Sequence, residues 1–267
     1  MTVGFIGAGR MGAPMVRRLI GAGYQVRVLG RTTEKCRAAE DLGAAGVGDL
    51  SQVARDADAV IVCVFTDEQV RQICLEDGLL DAMASGSALV LHTTGSPRTA
   101  QVINERATAR GLAVVDAPVS GGPHDVAGGT VTVFAGGEDE AVARVRPLLC
   151  SYADPVLHVG PVGSGQKVKL INNTLFAANI GLVAEAIRLG ERLGVDEAAL
   201  LAALPHGSGT SRALASIAAT GSVSAFTAAV GEFIGKDVAV IRSTAADLGS
   251  DLGLLGEAVA AGTGSTS

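Results

Sequence analysis

The chain contains 267 residues, carries a formal net charge of −6, and is 48% hydrophobic but only 18% charged. This composition predicts a globular protein with a substantial core rather than a disordered chain. The negative net charge argues against broad binding to nucleic acids or anionic membranes, and we find no apolar run long enough to span a membrane.

Residues 1–7 run directly into an apolar strand pattern and lack the basic start of a signal peptide. The four cysteines form no CxxC pair, and the four histidines show no metal-ligand spacing. We therefore expect reduced thiols, no metal site and a cytoplasmic protein.

Up to residue 160, short apolar runs alternate with segments of helical periodicity. Strands are predicted at residues 3–6, 24–29, 57–65, 88–91, 112–115, 130–135 and 156–159. Helices are predicted at residues 11–20, 34–42, 67–74, 97–110 and 139–148. The strand at 57–65 is apolar on both faces, which is typical of a parallel sheet covered by helices on both sides. The pattern therefore predicts an α/β fold with a doubly wound sheet.

The pattern changes near residue 163. From there we predict only helices, at residues 172–193, 196–204, 211–219 and 232–246. Residues 163–173 have the features of the start of a long helix, with Ser164 as a candidate N-cap. We therefore predict an α/β domain at 1–162 and an all-α C-terminal domain at 163–267, which begins with a long interdomain helix. The small, polar tail at 262–267 is expected to be disordered.

A glycine-rich loop follows the first predicted strand and opens the first predicted helix. Gly7 permits the tight turn, Gly9 lets the backbone approach a pyrophosphate, and Gly12 lets the helix pack closely on the strand. The helix N-terminus offers free N–H groups and a positive dipole end to phosphates. This context predicts a Rossmann-type dinucleotide site, with a ligand-free turn as the alternative. The predicted cofactor-binding stretch comprises Gly7, Ala8, Gly9, Arg10, Met11 and Gly12.

The end of the second strand distinguishes the two nicotinamide cofactors. NAD sites place an acid there, about 20 residues after the loop, to bind the ribose 2′-OH. Here the sequence at 30–33 is Gly-Arg-Thr-Thr, in which Arg31 can pair with a 2′-phosphate and Thr32 can donate a hydroxyl. We therefore expect NADP as the cofactor, with NAD as the alternative if Arg31 is only a solvated loop residue.

Two further stretches carry candidate substrate groups. Ser120, Gly121 and Gly122 follow a sheet strand and offer a hydroxyl and backbone N–H groups to a carboxylate, although taken alone they are better explained as a turn. Lys169 and Asn173 stand four residues apart and so project from one helix face. A cation and an amide in that arrangement either lie on a solvated surface or face a pocket.

Together these motifs resemble the β-hydroxyacid dehydrogenases, a family that includes 3-hydroxyisobutyrate dehydrogenase, tartronate semialdehyde reductase and plant glyoxylate/succinic semialdehyde reductases. The resemblance rests on residues 4–12, 116–122, 163–173 and 236–237, which occur in the family's order and span nearly the whole chain. It implies an NADP(H)-dependent oxidoreductase that transfers hydride between nicotinamide and a small β-hydroxyacid or the corresponding semialdehyde or 2-oxoacid. The expected partners are a small anionic substrate and further copies of the chain in a homodimer or homotetramer.

By the same resemblance, Lys169 is the catalytic acid/base at the substrate hydroxyl and Asn173 orients the substrate. A lysine suits this role because it can exchange a proton with the substrate oxygen when its pKa is lowered, and as an ammonium it stabilises a developing alkoxide. Arg31 and Thr32 resemble the motif of the NADP-using branch.

The resemblance also assigns the groups that hold the ligands. Ser120, Gly121 and Gly122 are expected to bind the substrate carboxylate. Thr94 is expected near the nicotinamide, and Lys236 is expected to close over cofactor and substrate.

The sequence departs from the family pattern at three places. Asp125 puts a negative charge beside the expected carboxylate site unless it faces away, and Gly30 replaces the usual asparagine before Arg31. The chain also stops early, so that a final helix is expected to be cut to a short apolar stretch at 252–255.

Three alternative functions remain at this point. Oxidative decarboxylation, as in 6-phosphogluconate dehydrogenase, uses an acid about two turns after the lysine, where this chain has Phe176. Imine reductases resemble this fold but generally lack the lysine. An inactive NADP-binding module is supported only by the short C-terminus.

Overall fold

The computed structural model describes residues 1–247 and 249–263, without the side chains of residues 232, 233 and 263. The described chain divides into two compact units, Met1–Lys169 and Leu170–Ser267. The predicted disordered tail lies mostly outside the described residues, at 264–267. Residues 262 and 263 belong to a helix, so the prediction is wrong for those two.

The first unit, all of which is described, consists of strands and helices in alternation. Its strands are β1 (Thr2–Ile6), β2 (Gln25–Leu29), β3 (Ala45–Val47), β4 (Ala59–Val62), β5 (Ala88–Leu91), β6 (Ala113–Asp116), β7 (Val119–Ser120), β8 (Val131–Gly136) and β9 (Ala153–Gly160). Its helices are α1 (Gly12–Gly21), α2 (Thr33–Glu40), α3 (Leu50–Ala54), α4 (Asp67–Arg71), α5 (Leu79–Ala82), α6 (Pro97–Thr108), α7 (Pro123–Gly128) and α8 (Asp139–Leu149), and a π-helical turn at Gln72–Glu76 continues α4.

These strands form one sheet in the order β3-β2-β1-β4-β5-β6-β8-β7, with β9 beside β8. Neighbours from β3 to β6 are parallel, whereas β8 runs antiparallel to β6 and β7. The predicted doubly wound α/β fold is therefore confirmed. Because β1, β4, β5 and β6 are parallel neighbours, the loops that follow them lie along the same edge of the sheet, where ligands of such folds bind.

The sheet is covered on both faces because its central strands are apolar on both sides. In β4, Ala59 and Ile61 belong to one buried cluster, while Val60 and Val62 belong to another. Successive strand residues point to opposite faces, so this alternation requires a core on each side. Helix α1 contributes Met15 to the first of these cores.

Five short elements were not predicted from the sequence, namely β3, α3, α5, β7 and α7. They contain between two and six residues. Segments of that length hold too little of a repeat for periodicity to identify them. The longer predicted strands and helices of this unit are present with shifted ends.

Helix α9 (Ser164–Arg192) begins in the first unit and continues into the second. Because α9 already starts at Ser164, this residue lies inside the first turn, and its prediction as an N-cap is wrong. The second unit continues with α10 (Glu197–Ala203), a 3-10 turn (Leu204–His206), α11 (Arg212–Thr220), α12 (Val223–Asp247) and α13 (Leu254–Thr263). The predicted helical character of this region is confirmed.

Helix α13 extends from Leu254 to Thr263, beyond the short apolar stretch expected at 252–255. It packs against α9 so closely that a Cβ on Gly181 would lie 1.7 Å from the carbonyl oxygen of Ala258. Ala177, Ala178, Val238 and Val259 form a small buried core among α9, α12 and α13. Alanine and glycine give a weak hydrophobic pattern, which is why the sequence did not predict this helix.

The sequence was expected to contain no membrane-spanning segment, yet helix α9 is long and apolar enough to cross a membrane by length and composition alone. Half of its most apolar stretch is buried within the protein. A helix at the core of a globular protein has the same length and composition.

Candidate active site

The loop between β1 and α1 requires glycine at two positions for steric reasons. Gly7 has a φ of 98°, and a Cβ there would lie 2.2 Å from the carbonyl oxygen of Cys63. A Cβ on Gly12 would lie 2.2 Å from the carbonyl oxygen of Gly7. These contacts bring the start of α1 directly onto the strand ends.

Gly9 differs from its two neighbours in the motif. Among the described residues, no atom lies within 4 Å of the position that its Cβ would occupy. The open space at Gly9 and the uncharged first turn of α1, Gly-Ala-Pro-Met at 12–15, suit an anionic group such as a pyrophosphate. Arg10 is exposed, and Ala8 and Met11 pack partly against the core, so the loop has a fixed inner side and an open outer side.

The end of β2 explains the unusual glycine before Arg31. A Cβ on Gly30 would lie 2.5 Å from the backbone nitrogen of Cys36, whose thiol donates to the Gly30 carbonyl at 3.0 Å. Arg31 is exposed, and its Nη2 lies 3.7 Å from Oδ2 of Asp77. The Thr32 hydroxyl caps α2 by accepting from the Lys35 backbone N–H at 3.3 Å. These groups can hold a 2′-phosphate if Arg31 exchanges Asp77 for it.

The loop after β5 is anchored by buried polar contacts. The Thr93 hydroxyl donates to the carbonyl of Val64 at 2.9 Å and accepts from its N–H at 3.0 Å. His92 Nδ1 donates to the carbonyl of Ala117 at 2.5 Å, and its Nε2 accepts from the Tyr152 hydroxyl at 2.7 Å. Burial lowers the pKa of His92 to about 4, so the ring is neutral at pH 7. Thr94, predicted near the nicotinamide, is half-buried in this anchored loop.

The loop after β6 carries Ser120, Gly121 and Gly122, with α7 directly behind it. Asp125 does not face away from this loop, because its Oδ2 accepts from the Gly122 N–H at 2.6 Å. One of the N–H groups that the sequence analysis offers to a substrate carboxylate is thus already bonded. An anionic substrate would have to displace the Asp125 carboxylate from Gly122 or use the other groups of the loop.

Asp116, at the end of β6, is completely buried. Its Oδ1 accepts from the Gly163 N–H at 2.6 Å and its Oδ2 from the Gln166 N–H at 2.8 Å. Burial raises the pKa of Asp116 to about 7, although these backbone hydrogen bonds act against that rise. Asp116 belongs to a motif that was recognised in the sequence, but its contact with the start of α9 was not predicted. The sequence did contain one indication of a buried polar contact here, because Asp116 is an acid at the end of an otherwise apolar strand.

Lys169 and Asn173 lie on α9, four residues apart. Lys169, the last residue of the first unit, is only 9% exposed. A lysine with so little exposure is uncommon in folded proteins. The interpretation of Lys169 as part of a solvated surface is therefore wrong.

In the second unit, Asp237 brings together two residues that the sequence singled out. Its Oδ2 accepts a short hydrogen bond from Nδ2 of Asn173, and its Oδ1 lies 2.7 Å from Nζ of Lys236. Asp237 itself is 7% exposed, and Asn172 donates to Oδ1 of Asn173 at 3.0 Å. The role of Asp237 as the link between Asn173 and Lys236 was not predicted from the sequence.

Within residues 1–247 and 249–263, no three histidine, cysteine, aspartate or glutamate side chains cluster closely enough to hold a metal ion. The first unit instead presents three loops at the carboxyl ends of β1, β5 and β6. The first is the glycine loop at residues 7–12, called the glycine cradle below. The second carries Thr94, and the third, called the Ser120 loop, carries Ser120, Gly121 and Gly122.

Comparison with known proteins identifies the family. Residues 2–160 match the family described as the NAD binding domain of 6-phosphogluconate dehydrogenase, and residues 163–263 match the one described as NAD-binding of NADP-dependent 3-hydroxyisobutyrate dehydrogenase. The chain is 35% identical over 213 residues to 3-hydroxyisobutyrate dehydrogenase of Pseudomonas aeruginosa, which covers 79% of this chain and 72% of that protein. The chain belongs to the β-hydroxyacid dehydrogenase family.

This β-hydroxyacid dehydrogenase is an NAD(P)-dependent oxidoreductase. It is also 36% identical over 213 residues to the NAD-dependent L-serine dehydrogenase of P. aeruginosa, covering 79% of this chain and 72% of that one. Its fold matches a structure of the Mycobacterium tuberculosis 3-hydroxyisobutyrate dehydrogenase with L-serine, with a TM-score of 0.85, 28% identity, and coverage of 97% of this chain and 91% of that one.

Another similar structure, Psf3 in complex with NADP+ and 2-OPP, has a TM-score of 0.81 at 26% identity and covers 98% of this chain and 93% of its own. An imine reductase from Streptomyces aurantiacus shares the fold at 20% identity, with a TM-score of 0.67 and coverage of 98% of this chain and 93% of its own. The predicted family and a nicotinamide cofactor are thereby confirmed.

Proposed function

We propose that this dehydrogenase transfers hydride between NADP(H) and a small β-hydroxyacid or the corresponding semialdehyde or 2-oxoacid, with Lys169 as the general acid/base. The observation that carries the proposal is the burial of Lys169, which is 9% exposed, in a chain whose glycine cradle is open for a dinucleotide. A nearly buried lysine one helical turn before an amide suits proton exchange at a substrate oxygen.

The proposed roles follow the chemistry of each group. When bound, the nicotinamide supplies the hydride acceptor or donor. Lys169 takes the proton from the substrate hydroxyl during oxidation and returns it during reduction, and its positive form stabilises charge on that oxygen. Asn173 orients the substrate. Asp237 fixes the Asn173 amide and the Lys236 ammonium, and Lys236 closes over the ligands.

The remaining proposed contacts lie at the sheet edge. Ser120, Gly121 and Gly122 would bind the substrate carboxylate, and Thr94 would contact the nicotinamide side of the cofactor. Gly7, Gly9 and Gly12 would hold the pyrophosphate, with Ala8, Arg10 and Met11 completing the loop.

We propose NADP rather than NAD because Arg31 and Thr32 stand where NAD sites carry an acid. Asp77 lies close to Arg31 near the end of β2. A 2′-phosphate carries more negative charge than this carboxylate and would replace it as the partner of Arg31. The KM for NADPH is expected to be about tenfold or more below that for NADH. Equal KM values would contradict this choice of cofactor.

We further propose the domains at 1–162 and 163–267, a homodimer or homotetramer, and a cytoplasmic location. Gel filtration with light scattering tests the oligomeric state. No nucleic-acid or membrane partner is proposed, in keeping with the net charge of −6.

A substrate panel tests the function. The panel contains 3-hydroxyisobutyrate, L-serine, glyoxylate, succinic semialdehyde and a cyclic imine, each with both cofactors. Turnover of a hydroxyacid or semialdehyde is the expected result. Turnover of the imine alone would favour imine reduction, and tight NADPH binding without turnover of any compound would favour an inactive binding module.

A further inference from the structure

The first turn of α9 is fixed to the loop after β5 by a single side chain, that of Gln166. This side chain is 2% exposed, and both ends of its amide are bonded. Its Oε1 accepts from the Gly95 N–H at 2.9 Å, and its Nε2 donates to the Thr93 carbonyl at 2.8 Å. Thr94 therefore lies between the two residues that Gln166 holds.

The same turn is fixed to the end of β6 by the Asp116 carboxylate, through the backbone N–H groups of Gly163 and Gln166. The approach of these segments is so close that a Cβ on Gly165 would lie 2.6 Å from the carbonyl oxygen of Asp116. A Cβ on Gly136 would lie 2.5 Å from Asp116 Oδ1. Asp116 also precedes the Ser120 loop by four residues, so it joins that strand end to the helix.

Thr93 extends the network to a third strand end through its two hydrogen bonds to Val64, the second residue after β4. The ends of β4, β5 and β6 are thus joined to one helical turn by buried and partly buried hydrogen bonds within the first unit. Lys169 lies three residues after Gln166, on the next turn of the same helix. Any shift of the first turn moves the Lys169 backbone with it.

We propose that Gln166 and Asp116 are positioning residues, which set the location of Lys169 relative to Thr94 and the Ser120 loop. This inference rests on the proposed role of Lys169 in hydride transfer. Neither residue contacts substrate or cofactor in this proposal. A displacement of about 1 Å at a reacting group lowers the rate by about 100-fold. The hydrogen bonds of Gln166 and Asp116 are therefore expected to affect kcat rather than the affinity for the cofactor.

The test compares Gln166→Met with Lys167→Leu. Methionine fills the space of glutamine but makes neither hydrogen bond, and Lys167 is an exposed neighbour on the same turn. We expect Gln166→Met to lower kcat by about tenfold or more while the NADPH Kd changes less than about threefold. Lys167→Leu is expected to leave both unchanged. Hydrogen exchange of peptides covering 92–96 and 163–169 should accelerate in Gln166→Met alone.

Gln166→Glu provides a second variant if Gln166→Met does not fold. It keeps the acceptor for Gly95 but places an oxygen against the Thr93 carbonyl, so faster exchange is expected at 92–96. Faster exchange with an unchanged kcat would overturn the positioning role, and so would exchange that matches the wild-type enzyme. If the wild-type enzyme turns over no substrate, the proposed function is refuted, and with it any effect of Gln166 and Asp116 on catalysis. The exchange data would still show whether Gln166 fixes the first turn of α9 to the loop after β5.

Discussion

The two units hold their functional groups by different means. In the first unit, the candidate ligand groups are largely backbone N–H groups, placed by glycines that close contacts require and by strands buried on both faces. In the second unit they are side chains, and one carboxylate, Asp237, holds both Asn173 and Lys236. A backbone cradle tolerates the loss of any one side chain, whereas a cluster around one carboxylate depends on that residue.

The largest expected effect is that of Lys169→Ala, which removes the proposed acid/base at the boundary of the two units. We expect kcat to fall by about 10²- to 10⁴-fold while NADPH binding persists, because the cradle in the first unit is intact. Steady-state kinetics and fluorescence titration of NADPH measure the two quantities. A kcat close to that of the wild type would reject Lys169 as the catalytic residue.

A matched pair of glycine substitutions breaks the backbone cradle in two ways. Gly9→Ala adds a methyl group in open space and should weaken NADPH binding by about 10- to 100-fold, since hydrogen bonds to charged groups are worth about 1.5–3 kcal/mol. Gly7→Ala strains a positive φ and collides with Cys63, so it should lower the free energy of unfolding by about 1–3 kcal/mol. Thermal unfolding should leave Gly9→Ala close to the wild type. Equal loss of stability in both variants would contradict the assignment of Gly9 to the ligand.

Asp237→Asn tests the dependence of the second unit on one carboxylate. The substitution removes the carboxylate that lies 2.7 Å from the Lys236 ammonium, and we expect kcat/KM to fall by about tenfold. Glu185→Gln is the control, because the Glu185–Arg188 pair is exposed and such pairs contribute little. The cofactor's Kd should change less than kcat/KM, and the reverse pattern would place Asp237 at the cofactor instead.

The buried Asp116 predicts a pH dependence of stability that belongs to the first unit. Its pKa is about 7 in the folded protein against an ordinary value of 3.8, so the folded state binds the proton more tightly. Its contribution to stability is therefore fully present below about pH 4 and is lost as the pH rises through about 7, at about 1.4 kcal/mol for each pKa unit.

Asp116→Asn removes this dependence, and the difference between wild type and variant in the free energy of unfolding should shrink as the pH rises from about 4 to about 7. Denaturant titrations at several pH values give that difference, in which the opposite contribution of His92 cancels. A difference that is constant with pH would show that Asp116 does not titrate in this range.

The smallest effect is expected from Asp125→Ala. It frees the Gly122 N–H for a substrate carboxylate and removes a negative charge. Because one hydrogen bond contributes about 0.5–1.5 kcal/mol, the KM for an anionic substrate should fall by a few-fold. The cofactor's KM should stay the same. An increased substrate KM would mean that Asp125 supports the loop rather than competing with the substrate.

The features that could be predicted from the sequence are those that local patterns encode. Alternating apolar runs indicated the doubly wound sheet, and Gly7, Gly9 and Gly12 marked the loop because backbone geometry demands glycine in a fixed short spacing. The polar contacts that organise the site join residues far apart in the chain: Asp116 and Gly163 by 47 positions, Asn173 and Asp237 by 64. No local pattern encodes such a partner, and motif order alone suggested which residues matter without indicating what they touch.

The close approach of α9 and α13 has a consequence for reading related sequences. At Gly181 a single added methyl group would meet the Ala258 carbonyl, so this position acts as a diagnostic of how the last helix docks. A relative that carries a bulkier residue there must either seat its final helix farther out or change the residue opposite it. In this enzyme, the docking of α13 on α9 therefore depends on glycine at position 181.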